Sequence, residues 1–334
     1  MENKVFSFNF KKLKESNYKF KDIFGDDFLK EQEFICNNKL DEEGKPVNKK
    51  EEMNSFSFAG DLDEIFGLEK NDLYREKYNQ AISGDGQEEK KIYTLHSSSL
   101  LALLFFYNVT KDNSIFIDGT EYGQSYFEVK NNVFNTPSNI DVVLVSKDNT
   151  KILYLESKFT EYLFNGKAYE ISKQYEDFYK NLDYNELRIK RTNTFNSKRK
   201  NSKGKIVFNL ESKNTPQDQY CVGIKQLISH YIGINNGLNE TQSERGELSE
   251  AIERASSLVL GEIIYSFDCE KEDNYKTLYS EVAKQLNEKK DELLDQTCNR
   301  CKISVLPHLL TYQDLLKDNE EFKLAETIKS FYKF

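Results

Sequence analysis

Two carboxylates and a lysine near the middle of the chain have residue types and spacing that suit a catalytic site. Asp141 lies near the start of one apolar segment, 140–145, and Glu156 and Lys158 end a second one, 151–158. The composition of both segments predicts strands. Because side chains alternate along a strand, Glu156 and Lys158 share one face.

A turn between the two segments would bring these groups together. A turn centred on Asp148 and Asn149 pairs Asp141 with Glu156, and directly opposed residues have Cβ atoms roughly 4.5–5.5 Å apart. Two carboxylates at that distance repel each other unless a cation lies between them, and hard oxygen ligands suit Mg²⁺, with Mn²⁺ as a substitute. Lys158 could orient or help deprotonate a water and stabilise a charged phosphate.

The remainder of the predicted hairpin is apolar on both faces. One face carries Val142, Leu144, Leu153 and Leu155, and the other carries Val143, Val145, Ile152 and Tyr154. A hairpin buried on both sides, with its polar groups gathered at one end, is typical of a central sheet that presents a site. The competing interpretation is a surface hairpin with a salt bridge.

The spacing of these residues resembles a known nuclease superfamily. Glu156-x-Lys158, with Glu156 fifteen positions after Asp141, resembles the PD-(D/E)XK superfamily of restriction endonucleases and recombination exonucleases. The run from Glu156 to Glu161 resembles, more narrowly, a group of bacterial restriction-endonuclease-like proteins of that superfamily. The resemblance extends over about residues 94–267. Pro137 departs from the pattern, because it lies four positions before the aspartate.

The resemblance implies a fold, an activity and a set of roles. The fold would be α/β, with a restriction-endonuclease-like core of a mixed central sheet flanked by helices and additional helices at both ends. The activity would be metal-dependent DNA endonuclease, with DNA as the partner. Asp141 and Glu156 would hold the metal together with the Ser157 carbonyl, and Lys158 would be the catalytic lysine. The supporting residues would be Glu128, Glu161, Gln226, His230 and His96.

Several of the supporting residues have ordinary structural interpretations. Glu128 could supply an upstream acid or be a solvated strand residue, and Glu121 competes for that role. Gln226 and His230 lie one helical turn apart and could contact DNA, support the site or pack a helix. The segment at His96 and Ser97 is more typical of a helix cap.

A basic segment between residues 188 and 205 is a candidate DNA contact. It carries eight positive charges and no acid. Phosphate neutralisation dominates affinity for nucleic acid, and a solvated loop is the alternative. The lysines and arginine predicted to contact DNA are Lys198, Arg199, Lys200 and Lys203.

Composition limits the remaining possibilities. The 334 residues include 47 Lys and Arg against 56 Asp and Glu, a net charge of −9 that argues against coating nucleic acid by bulk charge. Five scattered Cys predict reduced thiols in a cytoplasm. No apolar run reaches the length of a membrane span, and the first residues do not resemble a signal peptide. A homodimer is compatible with the resemblance.

Other catalytic motifs are weak. Cys298 and Cys301 with His308 could suggest zinc, but a single CxxC lacks its second half. The three His offer no convincing hydrolase triad, and no phosphate-binding loop of the GxxxxGK[ST] type is present.

The organisation predicted from the chain is a helical N-terminal extension over 1–90, a nuclease core over 91–270 and a C-terminal helical part packed on the core over 271–334. Within the core, the pattern after Glu161 predicts a helix that continues to about Ile189. Three alternatives to a DNA endonuclease stay open. They are a nucleic-acid-binding protein that keeps the fold without cleavage, a repair- or RNA-directed nuclease of the same fold, and a structural α/β protein with a coincidental hairpin.

Overall fold

A computed structural model describes most of the chain from residue 61 onward. The described residues are 35–36, 56–57, 61–83, 91–93, 97–133, 136–163, 169–172, 175, 189–191, 207–212, 221–237, 246–268, 270–290, 302–332 and 334.

The described strands form one large sheet and two small ones. They are β1 (Ile35–Cys36), β2 (Phe56–Ser57), β3 (Ile115–Ile117), β4 (Thr120–Val133), β5 (Thr136–Ser146), β6 (Lys151–Lys158), β7 (Tyr169–Ser172), β8 (Ile189–Arg191), β9 (Val207–Ser212), β10 (Ser257–Ile264), β11 (Lys302–Val305) and β12 (Leu310–Thr311).

The described helices precede, interrupt and follow these strands. They are α1 (Leu62–Phe66), α2 (Asp72–Ala81), α3 (Ser98–Phe106), α4 (Cys221–Asn236), α5 (Gly246–Arg254), α6 (Glu270–Glu288), α7 (Tyr312–Lys317) and α8 (Glu326–Tyr332). No helix among the described residues is long and apolar enough to cross a membrane.

The central sheet is mixed and has seven strands among the described residues. Its order is β11-β10-β6-β5-β4-β3, with β12 also paired to β10. The four strands β3, β4, β5 and β6 are antiparallel to one another in succession, whereas β10 runs parallel to β6, β11 and β12. The prediction of an α/β fold with a mixed central sheet flanked by helices is confirmed at this level.

The predicted hairpin forms in the predicted register. β5 and β6 pair Val143 with Tyr154 and Val145 with Ile152, and the turn between them includes Asn149 at φ 58°. Side-chain bonds to Asp148 close this turn, because its carboxylate accepts from the Ser146 hydroxyl at 2.6 Å and the Thr150 amide at 3.0 Å.

Helices cover both faces of the hairpin. Helix α3 is buried over its whole apolar length, and its Ser98 carbonyl accepts from the Ser157 hydroxyl at 3.0 Å. Residues 156 and 158 point the other way, toward α4. The interpretation of the hairpin as part of a central sheet, rather than a surface hairpin, is therefore confirmed.

The N-terminal helices belong to the same hydrophobic core as the C-terminal ones. The Phe66 ring packs edge-on against Phe331 at 5.3 Å, and Tyr74 packs edge-on against Tyr107 at 5.6 Å. The Thr327 hydroxyl donates to the Phe66 carbonyl at 2.6 Å. Residues 61–83 thus pack on the core directly, while the predicted boundaries at 90 and 270 stay predictions.

One prediction of a helix from the sequence is wrong in the part of its range that the structure describes. The pattern from Glu161 to Ile189 predicted a helix, but the described parts are a 3-10 turn at Glu161–Leu163 and the strands β7 and β8. Both strands pair with β9. Their partner lies at 207–212, too far along the chain for local periodicity to reveal.

Asparagine side chains close both edges of the central sheet. At the β3 edge, Asn319 accepts from the Phe116 amide at 2.6 Å and donates to its carbonyl at 2.9 Å. At the β11 edge, Asn287 does the same for Val305, both bonds at 2.8 Å. An unpaired edge is a template for pairing with another chain, so these amides block edge-to-edge association.

We expect Asn319→Ala to lower the free energy of unfolding by about 1–2 kcal/mol, because an amide that makes two bonds to the edge strand is lost. Urea unfolding of the variant and of Glu320→Ala, an exposed neighbour, measures the difference. A loss no larger than that of the control would mean that water replaces the amide without cost.

Candidate active site

A buried carboxylate at the end of β6 is the centre of the site. Glu156 Oε1 accepts from Lys158 Nζ at 2.5 Å and from Gln226 Nε2 at 2.7 Å, while Oε2 lies 2.8 Å from His230 Nε2. Gln226 also accepts from Lys158 at 2.8 Å. The side chains of Glu156, Lys158 and His230 are each about 5% exposed. The structure therefore brings together four of the predicted site residues.

Strand alternation and helix periodicity place these four groups. Glu156 and Lys158 are two residues apart on β6 and share a face, whereas Gln226 and His230 are four apart on α4 and share a stripe. The two faces meet because α4 packs across the sheet.

A glycine allows the helix to approach closely. A Cβ added at Gly233 would lie 2.9 Å from Val133 Cγ2 and 3.1 Å from Asn131 Cβ. Gly233 is one turn beyond His230 on the same helix. The close approach of the helix at Gly233 therefore also brings His230 within hydrogen-bond distance of Glu156.

Asp141, the other carboxylate predicted to hold the metal, lies beside this cluster. The ladder between β5 and β6 ends with Val142 opposite Leu155, and the next backbone amide, that of Ser157, donates to Asp141 Oδ2 at 2.8 Å. Asp141 is half-buried. Its second oxygen makes no hydrogen bond to a described residue. Burial, then Glu156 and Glu128, raise the pKa of Asp141 well above its usual range.

Glu128 faces Asp141 from the neighbouring strand. The β4–β5 ladder pairs Phe127 with Val142 and Val129 with Ile140 but omits the pair between them. Glu128 occupies that gap with φ 47° and is buried. A left-handed backbone is costly for a residue with a Cβ. This placement favours Glu128 over Glu121, whose carboxylate instead bonds Lys147 and Ser114.

The electrostatics keep the lysine charged. Burial raises the pKa of Glu156, but Lys158 and His230 outweigh burial and bring it to about 2. Burial lowers the pKa of Lys158, yet Glu156, Glu262 and the other nearby carboxylates raise it above the usual value for lysine. Lys158 is consequently a cation at neutral pH and can donate hydrogen bonds, but it is a poor base.

A serine extends the network behind the histidine. Ser138 Oγ lies 2.5 Å from His230 Nδ1. Because ionised Glu156 can only accept, Nε2 of His230 carries the proton in this contact. The sequence offered no hydrolase triad, but Ser138, His230 and Glu156 do form a hydrogen-bonded row of that kind.

A buried acid that the sequence analysis missed lies on the other side of Glu156. Glu262 on β10 is in register with Glu156 on β6 and has no exposed surface. Tyr275 donates to its Oε2 at 2.6 Å, while its Oε1 has no partner among the described residues. A single acid inside the apolar strand 257–264 was the available signal.

The other predicted residues divide into two groups. Glu161 accepts from the Phe159 amide at 2.7 Å and contributes to the raised pKa of Lys158. Ser97 caps α3 by accepting from the Leu100 amide at 3.0 Å, as the cap interpretation predicted. The residues that lie outside the described part of the chain are His96, Lys198, Arg199, Lys200, Lys203, Cys298 and Cys301.

The donor set suits a hard divalent cation in its chemistry, although no ready-made cage is present. Three carboxylates are gathered, and besides burial the charges of Glu156 and Glu128 raise the pKa of Asp141, a repulsion that a cation would relieve. Among the described residues, however, no three His, Cys, Asp or Glu side chains form a group that could hold a metal. Binding would therefore require Glu156 to exchange one of its three hydrogen-bond partners.

The site does not coincide with the cavity of about 270 Å³ that lies elsewhere on the sheet, lined in part by Asp118, Lys151 and Pro307. Asp141 and Gln226 are the half-buried residues of the network, whereas Glu156, Lys158 and His230 are buried.

Comparisons of the chain with models of protein families, with curated proteins and with solved structures found no match. The arguments for function therefore rest on the residues and their geometry.

We expect Gly233→Ala to lower the free energy of unfolding by up to about 2 kcal/mol. Alanine gains about 1 kcal/mol of helix propensity, but overpacking against Val133 and Asn131 costs about 1–3 kcal/mol. Gly246→Ala is the control, because a Cβ there meets nothing within 4 Å. Equal stability of both variants in urea would contradict the close approach.

We expect Asp141→Asn to raise the melting temperature at pH 7 by roughly 2–4 °C. Asparagine keeps an acceptor for the Ser157 amide and removes a charge that the folded state disfavours. A raised folded-state pKa of an acid means that stability falls as pH rises, so the advantage should fade in acid, where Asp141 is protonated.

Asp148→Asn is the matched control in the same hairpin and should have the opposite sign. Hydrogen bonds from Ser146 and Thr150 lower the pKa of Asp148 to about 2. Its charge therefore stabilises the fold above its unfolded pKa, and this contribution is lost only as pH falls toward 2. Thermal melts from pH 3 to 8 test both; a lower melting temperature for Asp141→Asn at pH 7 would contradict the repulsion.

Proposed function

We propose that the protein is a Mg²⁺-dependent DNA endonuclease of the PD-(D/E)XK type, similar to restriction endonucleases. The observation that carries the proposal is the buried pair of Glu156 and Lys158, 2.5 Å apart, beside the half-buried Asp141. The mixed sheet with helices on both faces supports the same proposal, because the resemblance implies that architecture.

Asp141, Glu156 and Ser157 would form the metal site. Asp141 and Glu156 would hold the metal, with the Ser157 carbonyl as a further ligand. When bound, Mg²⁺ would activate a water and offset charge on the scissile phosphodiester. Asp141 is suited to this role because the Ser157 amide anchors one of its oxygens and the other makes no hydrogen bond within the described part of the chain.

Lys158 would act as a charged donor rather than as a base. Its raised pKa keeps it protonated, and its ammonium has three N–H donors, of which the described contacts use two. The third is left for a phosphate oxygen, where a charged donor in a water-poor site stabilises the charge that develops during cleavage.

Gln226 and His230 would hold Glu156 for this task. Both donate to Glu156. The opposite polar atom of each side chain contacts another residue of the network, Lys158 for Gln226 and Ser138 for His230. DNA contact by these residues is therefore the weaker of the roles predicted for them. Cytoplasmic location, homodimerisation and DNA binding by the segment around Lys198 and Arg199 are parts of the proposal that the described geometry leaves as expectations.

The row of Ser138, His230 and Glu156 favours one second candidate, a serine hydrolase. One feature argues against it. Glu156 is paired with Lys158, which weakens its support of a histidine base.

Cleavage of plasmid DNA with Mg²⁺ or Mn²⁺ tests the proposal. We expect Glu156→Gln and Lys158→Met to reduce the rate by at least about 100-fold and EDTA to abolish cleavage. Lys151→Met is the matched control, because Lys151 lies at the far, exposed end of the same strand. Mg²⁺ should also raise the melting temperature of wild type but not of Asp141→Asn.

The outcomes separate the candidates. Cleavage that survives both site substitutions would refute the assignment of the site. Tight DNA binding without cleavage would favour the non-cleaving binder, and preference for single strands or RNA would favour a repair- or RNA-directed nuclease. Loss of esterase activity in Ser138→Ala, with DNA cleavage absent in wild type, would favour the hydrolase. A folded wild type with no cleavage, no DNA binding and no Mg²⁺ effect on melting would favour a structural protein.

A further inference from the structure

The Ser157 side chain and Tyr312 form a buried polar pair to which the proposed function gives no task. The Ser157 hydroxyl donates to the Ser98 carbonyl at 3.0 Å, and the Tyr312 hydroxyl lies 2.7 Å from Ser157 Oγ. Neither Ser157 nor Tyr312 has exposed surface. The backbone of the same serine belongs to the site, because its amide donates to Asp141 Oδ2 at 2.8 Å.

The hydrogen bonds of this pair run in one direction. A carbonyl can only accept and a serine hydroxyl has one proton, so the proton of Ser157 goes to the Ser98 carbonyl. Tyr312 therefore donates to Ser157 Oγ. Ser157 is thus held between an acceptor from the first residue of α3 and a donor from the first residue of α7.

Both anchors are themselves held firmly. Tyr312 directly follows β12, which pairs with β10, and its ring packs edge-on against Phe105 at 4.9 Å. Ser98 begins α3 directly after the cap residue Ser97. The side chain of Ser157 therefore connects the end of β6 to two fixed points of the core.

The backbone of Ser157 faces the edge of β6 that β5 has left. The ladder between β5 and β6 ends before this residue. The amide and carbonyl of one strand residue point to the same edge, and successive residues alternate. The next carbonyl, that of Lys158, accordingly points toward β10 and accepts from the Tyr265 amide at 3.0 Å. The Ser157 carbonyl, the further metal ligand of the proposed function, therefore points to the same edge as the amide that holds Asp141.

Without a ladder on that edge, the rotation of the strand end has to be fixed by other contacts. Hydrophobic contact is non-directional, whereas a hydrogen bond prefers a narrow range of angles. An apolar pair at 157 and 312 would fill the same space, but it would define the rotation of Ser157 less closely. A metal site needs its ligands held within about 0.5 Å of the productive geometry.

We infer that Tyr312, acting through the Ser157 hydroxyl, is a positioning residue that turns the Ser157 amide and carbonyl toward Asp141. The inference rests on the proposed nuclease function, because the carbonyl is a ligand only there. It distinguishes the Tyr312 hydroxyl from a buried hydroxyl that contributes to stability alone.

Tyr312→Phe removes only this hydroxyl, and Tyr265→Phe is the matched control. The Tyr265 hydroxyl is also buried and donates to a backbone carbonyl, that of Tyr332, so both variants should lose a similar amount of melting temperature. In calorimetric titration, we expect the Kd for Mg²⁺ to rise about 10-fold or more in Tyr312→Phe and less than about twofold in Tyr265→Phe. Ser157→Ala removes the acceptor instead and should weaken Mg²⁺ binding as Tyr312→Phe does.

Hydrogen exchange of the Ser157 amide depends on neither metal nor cleavage. In protein labelled with ¹⁵N-serine, the signal of this amide is identified by its absence from Ser157→Ala. We expect it to exchange at least about 10-fold faster in Tyr312→Phe, because the strand end opens more often. The Ser257 amide is the control within the same spectrum, since it bonds the Thr150 carbonyl at the other end of β6 and should keep its rate.

The two measurements separate failure of the inference from failure of the proposed function. If wild type neither binds Mg²⁺ nor cleaves DNA, the proposed function fails, but faster exchange at Ser157 and not at Ser257 would still support the positioning role. An unchanged exchange rate of the Ser157 amide in Tyr312→Phe would overturn the inference. Equal Mg²⁺ affinity of Tyr312→Phe and Tyr265→Phe, in a wild type that binds Mg²⁺, would also overturn it.

Discussion

A single buried carboxylate organises this structure. Glu156 has to be compensated, because the attraction that it can recover inside the protein must offset the loss of its hydration. It is compensated by donors from two elements, with Lys158 on its own strand and Gln226 and His230 on α4. That requirement fixes the position of α4 over the sheet, and Gly233 is the residue that permits the necessary distance. The close packing of α4 on the sheet and the compensation of the Glu156 charge therefore depend on the same contact.

The compensation is uneven between the two neighbouring acids. Glu156 is fully satisfied, and its pKa is low. Asp141, one strand away, has one anchored oxygen and a pKa that is raised by burial and then by repulsion from Glu156 and Glu128. Glu128 reaches it through a left-handed backbone at a missing pair of the ladder. Strain and repulsion of this kind persist only where the surrounding structure enforces them, and they concentrate at functional sites.

Much of the site was predictable because it depends on local rules. Two strands joined by a short turn have a register that the turn fixes, so the approach of Asp141 to Glu156 followed from residue numbers. The side of α4 that carries Gln226 and His230 followed from its period. The features that could not be predicted depend on residues far apart in the chain. The position of Glu262 beside Glu156 requires knowing that β10 pairs with β6. The contact of Ser138 with His230 requires knowing where α4 packs. The strands β7 and β8 were mistaken for helix for the same reason, since β9 supplies their pairing.

The location of the site follows from where the pairing of strands changes. Antiparallel pairing of β5 with β6 stops at Val142 and Leu155, while parallel pairing of β6 with β10 continues to Lys158. The last residues of β6 therefore keep one neighbouring strand and lose the other. On the side that is lost, the Ser157 amide turns to a side chain, Asp141, instead of a backbone carbonyl. If β5 had continued to pair with β6, the Ser157 amide would have bonded a backbone carbonyl of β5. It would then not be available to Asp141. The change of pairing thus converts a structural donor into part of a site without exposing the core beneath it.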